Sequence, residues 1–159
     1  MTKPNKGKDK ARMYNISRKM APFQHDQYYF VAAAVATAIA GIVHLYMPLS
    51  HPMLIRLSPM AIFFLGSGIA QIFWILPIIK RLGRPWYYVG IGGNLAFIML
   101  YIITRFPDNP VTGRRGGHVD IMDTICELAQ VAYIIITAVI LAKDMTMAKL
   151  KVSQKELLR

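Results

Sequence analysis

The residues of this chain most able to do chemistry are single polar side chains within long apolar stretches: His44, Gln71, Asn94 and Glu127. An imidazole and a carboxylate can bind a metal or move a proton, whereas the two amides donate and accept hydrogen bonds. A polar group inside a bilayer is costly, so it normally faces a partner side chain, a cavity or an ion. The chemistry of the chain therefore depends on what surrounds these four residues.

An acidic stripe leads into the last apolar stretch. Asp120, Asp123, Glu127 and Gln130 recur at steps of three or four residues, so they share one face of a helix. Two outcomes are open for this stripe. Arg105 can neutralise it in a structural ion pair, or histidines can join it around a divalent metal.

The metal alternative predicts a site assembled from different segments, because the chain contains no compact ligand spacing. Imidazole and carboxylate ligands suit zinc, Cu(II) and iron, so copper or zinc is the expected metal. The predicted ligands are His44, His51, Asp120 and Glu127. The predicted structural polar network consists of Gln71, Asn94, Arg105 and Asp123. Proton transfer or transport is a third alternative.

The two amides are predicted to bond to each other. Gln71 and Asn94 both fall near the middle of neighbouring apolar stretches. An interhelical hydrogen bond of this kind contributes about 0.6–2 kcal/mol in a membrane. We therefore expect this pair to serve packing.

Cys126 is the single cysteine of the chain, so no internal disulfide can form. It is predicted to be a buried small hydrophobe, with a metal-binding or redox thiol as the alternative. No motif places a serine or cysteine nucleophile beside a base. The chain is therefore not expected to be catalytic by itself.

The segments that must position these residues are long enough to cross a bilayer. Of the 159 residues, 55% are hydrophobic and 17% are charged, which is typical of a membrane protein. Each apolar window spans about 30 Å at about 1.5 Å per residue. The windows are Tyr28–Met47, Pro59–Ile79, Trp86–Thr104 and Ile121–Leu141. They are apolar all round, which disfavours a soluble four-helix core and predicts an all-α, integral membrane four-helix bundle.

Basic residues are distributed unevenly between the two sides of this bundle. Of the 19 Lys and Arg residues, 15 lie in the N-terminal arm, the second loop and the C-terminal tail. This asymmetry predicts a multi-pass protein of the cell membrane with both termini in the cytoplasm. The basic segments are expected to meet anionic lipid headgroups, and the net charge of +11 is not attributed to nucleic-acid binding.

The chain is predicted to have three parts. Residues 1–27 form a basic cytoplasmic arm that could contain an interfacial helix, residues 28–141 form the four-span domain, and residues 142–159 form a cytoplasmic helix or tail. The first span is expected to end at Pro48. The second and third spans are expected to form an antiparallel pair, because the loop between them is short.

Small residues share helix faces with the polar ones. On the first span this face is expected to meet other helices, because small residues allow close approach in membranes. The face comprises Ala33, Thr37, Ala40, Gly41 and His44. Ser67 and Gly68 lie one turn before Gln71, and Gly90 lies one turn before Asn94. The pattern predicts polar residues that face inward.

The run from His44 to Glu127 resembles a family of small four-span membrane proteins of archaea and bacteria. The resembling features are His44 with Pro48 and His51, Phe63-Phe64 leading to Ala70-Gln71, Gly93-Asn94, Thr104-Arg105 with Pro107 and Pro110, Asp120, and Glu127-Leu128. The resemblance implies a four-span fold and no particular activity.

The basic leader and the Ala-rich first span look like those of proteins from ammonia-oxidising archaea. Accessory multi-span subunits of the copper-dependent ammonia monooxygenase of these organisms are similar in size. This resemblance implies a copper enzyme as a neighbour rather than copper ligands in this chain.

The resulting hypothesis is an accessory or structural subunit of a larger membrane complex. Its contacts would be the small-residue faces and the long loop from Arg105 to Asp120. A metal-binding membrane protein with a site near the outer face is the first alternative. A membrane redox enzyme is the second.

Overall fold

The structure is a computed structural model that describes residues 7, 10–11, 13–15, 26–50, 59–105 and 121–157. These form four long helices and, within those ranges, no strand. The helices are α1 (Gln27–Ser50), α2 (Pro59–Ile79), α3 (Arg84–Arg105) and α4 (Ile121–Leu157). All four are long and apolar enough to cross a membrane. The prediction of an all-α fold with four candidate spans is confirmed, and the side on which the termini lie stays a prediction.

The start of α1 and the second half of α4 lie at the same end of the bundle. There, Lys143 Nζ on α4 donates to Asp26 Oδ1, at 2.5 Å, just before α1 begins. We call this the terminal end, and the opposite end, where α1 finishes and α4 begins, the loop end. Helix α4 has 37 residues and continues without a break to Leu157, about 20 Å beyond Lys143. The segment after residue 141 is thus a continuation of the last span.

Helix α1 packs against both α2 and α4, and its small residues make this possible. Ala33, Thr37 and Ala40 are fully buried and His44 is 6% exposed, which confirms that this face meets other helices. A Cβ atom on Gly68 would lie 3.0 Å from the backbone oxygen of Gly41. The backbones of α1 and α2 therefore approach each other as closely as two glycines allow.

Helices α2 and α3, predicted to be an antiparallel pair because their loop is short, pack little against each other. They make few contacts with each other, and α3 packs on α4 instead. Aromatic rings bridge the gap at two levels, with centroids 5.6 Å apart for Trp74 and Trp86 and 6.0 Å apart for Phe63 and Phe97. Because these rings occupy the space between α2 and α3, the backbones cannot come close.

The first span also ends later than predicted. Helix α1 continues through Pro48 to Ser50. A proline lacks only its own N–H, so it leaves the carbonyl of His44 without its usual helical donor. Near the end of a helix this loss is small, because the helix has few further bonds to make.

A tight turn connects α2 to α3. The Arg81 N–H donates to the Ile78 oxygen at 3.2 Å, and the Leu82 N–H donates to the Pro77 oxygen at 3.1 Å. This pair of bonds is the Schellman arrangement that ends many helices. Its central residue is Arg81, with a φ of 51°, in the left-handed region that costs a non-glycine residue about 1–2 kcal/mol. Glycine is the usual residue at such a position.

Candidate functional site

His44 is a buried titratable side chain whose ring nitrogen Nδ1 lies beside two hydrogen-bond acceptors. Its Nδ1 atom lies 3.0 Å from the backbone oxygen of Ala40 and 3.0 Å from Gln71 Oε1. Both of these atoms accept hydrogen bonds, so Nδ1 carries the proton. In the neutral imidazole, the lone pair is then on Nε2.

Cys126 contacts the same nitrogen. Its Sγ atom is 3.5 Å from His44 Nδ1 and accepts a bond from Gln130 Nε2 at 3.6 Å. The thiol is buried among Ala40, Val43 and Ala129, as expected for a small hydrophobe. Because the sulfur faces the protonated nitrogen, a metal on His44 Nε2 would not also be held by Cys126 through this contact.

The predicted hydrogen bond between Gln71 and Asn94 does not form. Gln71 accepts from His44 instead, and Asn94 Nδ2 donates to the Gly90 oxygen of its own helix at 2.9 Å. The remaining amide atoms, Gln71 Nε2 and Asn94 Oδ1, are buried without a hydrogen-bond partner. The prediction fails because the aromatic rings between α2 and α3 hold the two helices apart.

A second polar cluster lies closer to the terminal end, where α2, α3 and α4 meet. A Cβ atom on Gly90 would lie 2.1 Å from Tyr133 Oη and 2.4 Å from Trp74 Nε1. Tyr133 and Thr137 are fully buried. The polar atoms of Trp74, Tyr133 and Thr137 form no hydrogen bond of good geometry. Only glycine at position 90 leaves room for this cluster.

Trp74, Tyr133 and Thr137 were not predicted from the sequence. The signal was present on α4, where Cys126, Gln130, Tyr133 and Thr137 recur at steps of three or four and share the buried face. Asp123 and Glu127, which were predicted on the same stripe as Gln130, are only half-buried. The inward-facing polar side chain of this part of α4 is therefore Gln130 rather than Glu127.

One acidic residue at the loop end, Asp123, forms an ion pair with Arg105. Arg105, at the end of α3, donates to Asp123 near the start of α4. The Arg105 guanidinium also lies 4.4 Å from the centroid of the Tyr101 ring. The structure thus brings two of the predicted network residues, Arg105 and Asp123, together.

The predicted metal ligands are only partly within the described chain. His51 and Asp120 lie outside the described residues, whereas His44 is buried on α1 and Glu127 is half-buried on α4. Among residues 26–50, 59–105 and 121–157, no three His, Cys, Asp or Glu side chains are grouped closely enough to hold a metal. The four-ligand set stays a prediction.

No family model, curated protein or solved structure matches this chain. The contacts of its own residues therefore carry the functional argument.

Proposed function

We propose that this multi-pass protein is an accessory subunit of a larger membrane complex, and that it binds its partner through the surface of α3. The proposal rests on the small fraction of α3 that is buried inside the protein. Within the candidate spans, 17% of α3 is buried inside the protein, compared with 44% of α1. Helix α3 packs mainly on α4, so most of its surface is open to a partner helix or to lipid.

The composition of the open surface favours a partner helix over lipid. Gly92, Gly93 and Ala96 are exposed, and a Cβ atom on either glycine would meet nothing within 4 Å. The packing of the chain itself therefore gives no reason for glycine at these positions. Glycine disfavours a helix by about 1 kcal/mol relative to alanine. Small residues four apart, as Gly92 and Ala96 are, commonly lie where two membrane helices approach closely.

The buried polar residues fit the role of a rigid packing unit. His44 joins α1 to α2 through Gln71, and Thr37 Oγ1 donates to the Gln71 backbone oxygen at 3.0 Å. Such bonds fix the register of two helices in a bilayer. The partner that the sequence resemblance suggests is the copper-dependent ammonia monooxygenase of ammonia-oxidising archaea.

The test is the mass of the native assembly in mild detergent before and after Gly92→Leu. The larger side chain is expected to release the partner, because it fills the space that a neighbouring helix would occupy. Gly66→Leu is the matched control, since Gly66 on α2 also has open space around it. A wild-type protein that migrates as a free monomer contradicts the proposal, as does an equal loss of partner in both variants.

A metal site at the loop end is the second candidate, favoured by the orientation of His44. Metal-binding histidines usually donate their other ring N–H to a carbonyl or carboxylate oxygen, as His44 Nδ1 does to Ala40. The site would take copper or zinc on His44 Nε2, with His51, Asp120 and Glu127 as further ligands.

The metal content of the purified protein tests this second candidate. Stoichiometric metal that is lost in Glu127→Gln and kept in Cys126→Ala supports it, because Glu127 is a proposed ligand and Cys126 is not. Metal-free wild-type protein, prepared without chelators, contradicts it.

A further inference from the structure

The terminal end of the bundle contains a cavity of about 220 Å³. It lies between the start of α1, the turn from α2 to α3, and α4. The residues that matter for its chemistry are Asp26, Phe30, Arg81, Tyr87, Lys143 and Asp144. Charged and aromatic side chains therefore line the same space.

The two carboxylates of the cavity already have basic partners. Asp26 Oδ1 accepts from Lys143 at 2.5 Å, and Asp144 Oδ2 accepts from Arg84 Nε at 2.5 Å. Arg81 forms no ion pair with any carboxylate in the described part of the chain, and its guanidinium lies 4.4 Å from the centroid of the Phe30 ring. Arg81 is therefore the surplus positive charge of the cavity.

Two helix N-termini add to this charge. Helix α1 begins at Gln27 and helix α3 at Arg84, and both first turns border the cavity through Phe30 and Tyr87. Neither first turn contains an acidic residue, and Asp26, which immediately precedes α1, is paired with Lys143. Free N–H groups and the helix dipole favour an anion at such positions.

The backbone of Arg81 gives an independent reason to assign a role to its side chain. Its φ of 51° places it where glycine is ordinarily found at the end of a helix. Strained backbone positions cluster at active sites and ligand clamps. An arginine there contributes a planar guanidinium that can bind a phosphate through two hydrogen bonds.

We propose that this cavity binds the phosphate group of an anionic ligand, with Arg81 as the anion-binding side chain. The phosphate can come from a lipid headgroup or from a soluble phosphate compound. Both sources share the same chemistry at Arg81. Tyr29 and Tyr87 line the cavity as well, and tyrosine is common at the level of lipid headgroups.

The lipid source is tested with the full chain in nanodiscs that contain phosphatidylglycerol and phosphatidylcholine. Native mass spectrometry is expected to show phosphatidylglycerol retained on the protein, with about tenfold weaker retention in Arg81→Gln. Lys80→Gln is the matched control, because it removes the same charge from the neighbouring exposed residue, outside the cavity. Its retention is expected to match that of the wild type.

The soluble source is tested with inorganic phosphate and the protein in a lipid-free detergent. Phosphate that binds with the same dependence on Arg81 supports a soluble ligand, whereas binding of phosphatidylglycerol alone supports a lipid headgroup. A protein that binds neither contradicts the proposal. Equal losses in Arg81→Gln and Lys80→Gln also contradict it, because the charge of the whole surface would then be responsible.

Arg81→Gly separates a binding role from a structural one. Glycine removes the backbone strain, so the melting temperature in phosphatidylcholine alone is expected to rise by about 2–4 °C. Phosphate or phosphatidylglycerol binding is expected to fall in the same variant. A lower melting temperature would show that Arg81 stabilises the fold, which would overturn its assignment as a binding residue.

Discussion

His44 on α1 and Gln71 on α2 are joined by a hydrogen bond of 3.0 Å between Nδ1 and Oε1. Both side chains are buried, at 6% and 3% exposure. In a bilayer an unpaired buried polar group is costly, so each residue stabilises the position of the other. This pair joins α1 to α2, whereas the predicted amide pair would have joined α2 to α3.

Removing one member of the pair is predicted to cost more than removing both. His44→Leu leaves Gln71 Oε1 buried without a donor, which is expected to lower the free energy of unfolding by about 1–3 kcal/mol. The double variant His44→Leu/Gln71→Leu is expected to recover part of this loss, because no acceptor is left unpaired. Unfolding in mixed micelles with increasing dodecyl sulfate measures both values. Strictly additive losses would show that the two side chains do not interact.

Gly90 is predicted to tolerate no side chain. Gly90→Ala would place a Cβ atom 2.1 Å from Tyr133 Oη, and the resulting overpacking is expected to cost about 1–3 kcal/mol of stability. Gly92→Ala is the control, because its Cβ meets nothing within 4 Å. The melting temperatures of the two variants are compared. A Gly90→Ala protein as stable as Gly92→Ala would mean that Tyr133 does not lie against α3.

The two arginine ion pairs are predicted to differ in strength. The side chains of Arg105 and Asp123 are 25% and 17% exposed, whereas those of Arg84 and Asp144 are 40% and 47% exposed. Exposed ion pairs contribute about 0–1 kcal/mol, because solvent screens them, whereas hydrogen bonds to charged groups contribute about 1.5–3 kcal/mol. Arg105→Gln is therefore expected to destabilise the protein more than Arg84→Gln in the same unfolding assay. The reverse order would contradict the placement of Arg105 against Asp123.

The orientation of the chain is predicted by its charge and can be measured directly. In a Cys126→Ser background, a cysteine at Lys149 is expected to react with a membrane-impermeant thiol reagent only after the cells are opened. A cysteine at Gly113, in the long third loop, is expected to react in intact cells. Labelling with the opposite pattern would place both termini outside.

The sequence predicted the helices well because membrane spans have a simple requirement. Four apolar windows of sufficient length lead to four helices, and Gly41 and Gly68 mark where two of them approach closely. The partner of Gln71 could not be predicted in this way. It depends on which helices are adjacent, and the short loop suggested that α2 and α3 would be. Trp74 and Phe97 fill the space between those helices, so Gln71 bonds to His44 on α1 instead of to Asn94 on α3.

The candidate site was also predictable only in part, because it too depends on which helices are adjacent. His44 stood out as a lone imidazole in an apolar span, and its burial follows from the small residues on its face. Tyr133 and Trp74 did not stand out, because aromatic residues are common in membrane spans. Their importance comes from Gly90, whose missing side chain makes the space that both occupy.

The proposed function depends on whether the open surface of α3 binds a partner helix. The most direct measurement is photo-crosslinking in native membranes from a benzoylphenylalanine placed at Ala96, with Ile69 on the exposed face of α2 as the control position. One adduct of discrete mass is expected from position 96, and none of that mass from position 69. Adducts with lipid alone at position 96, or the same protein adduct from both positions, would contradict it.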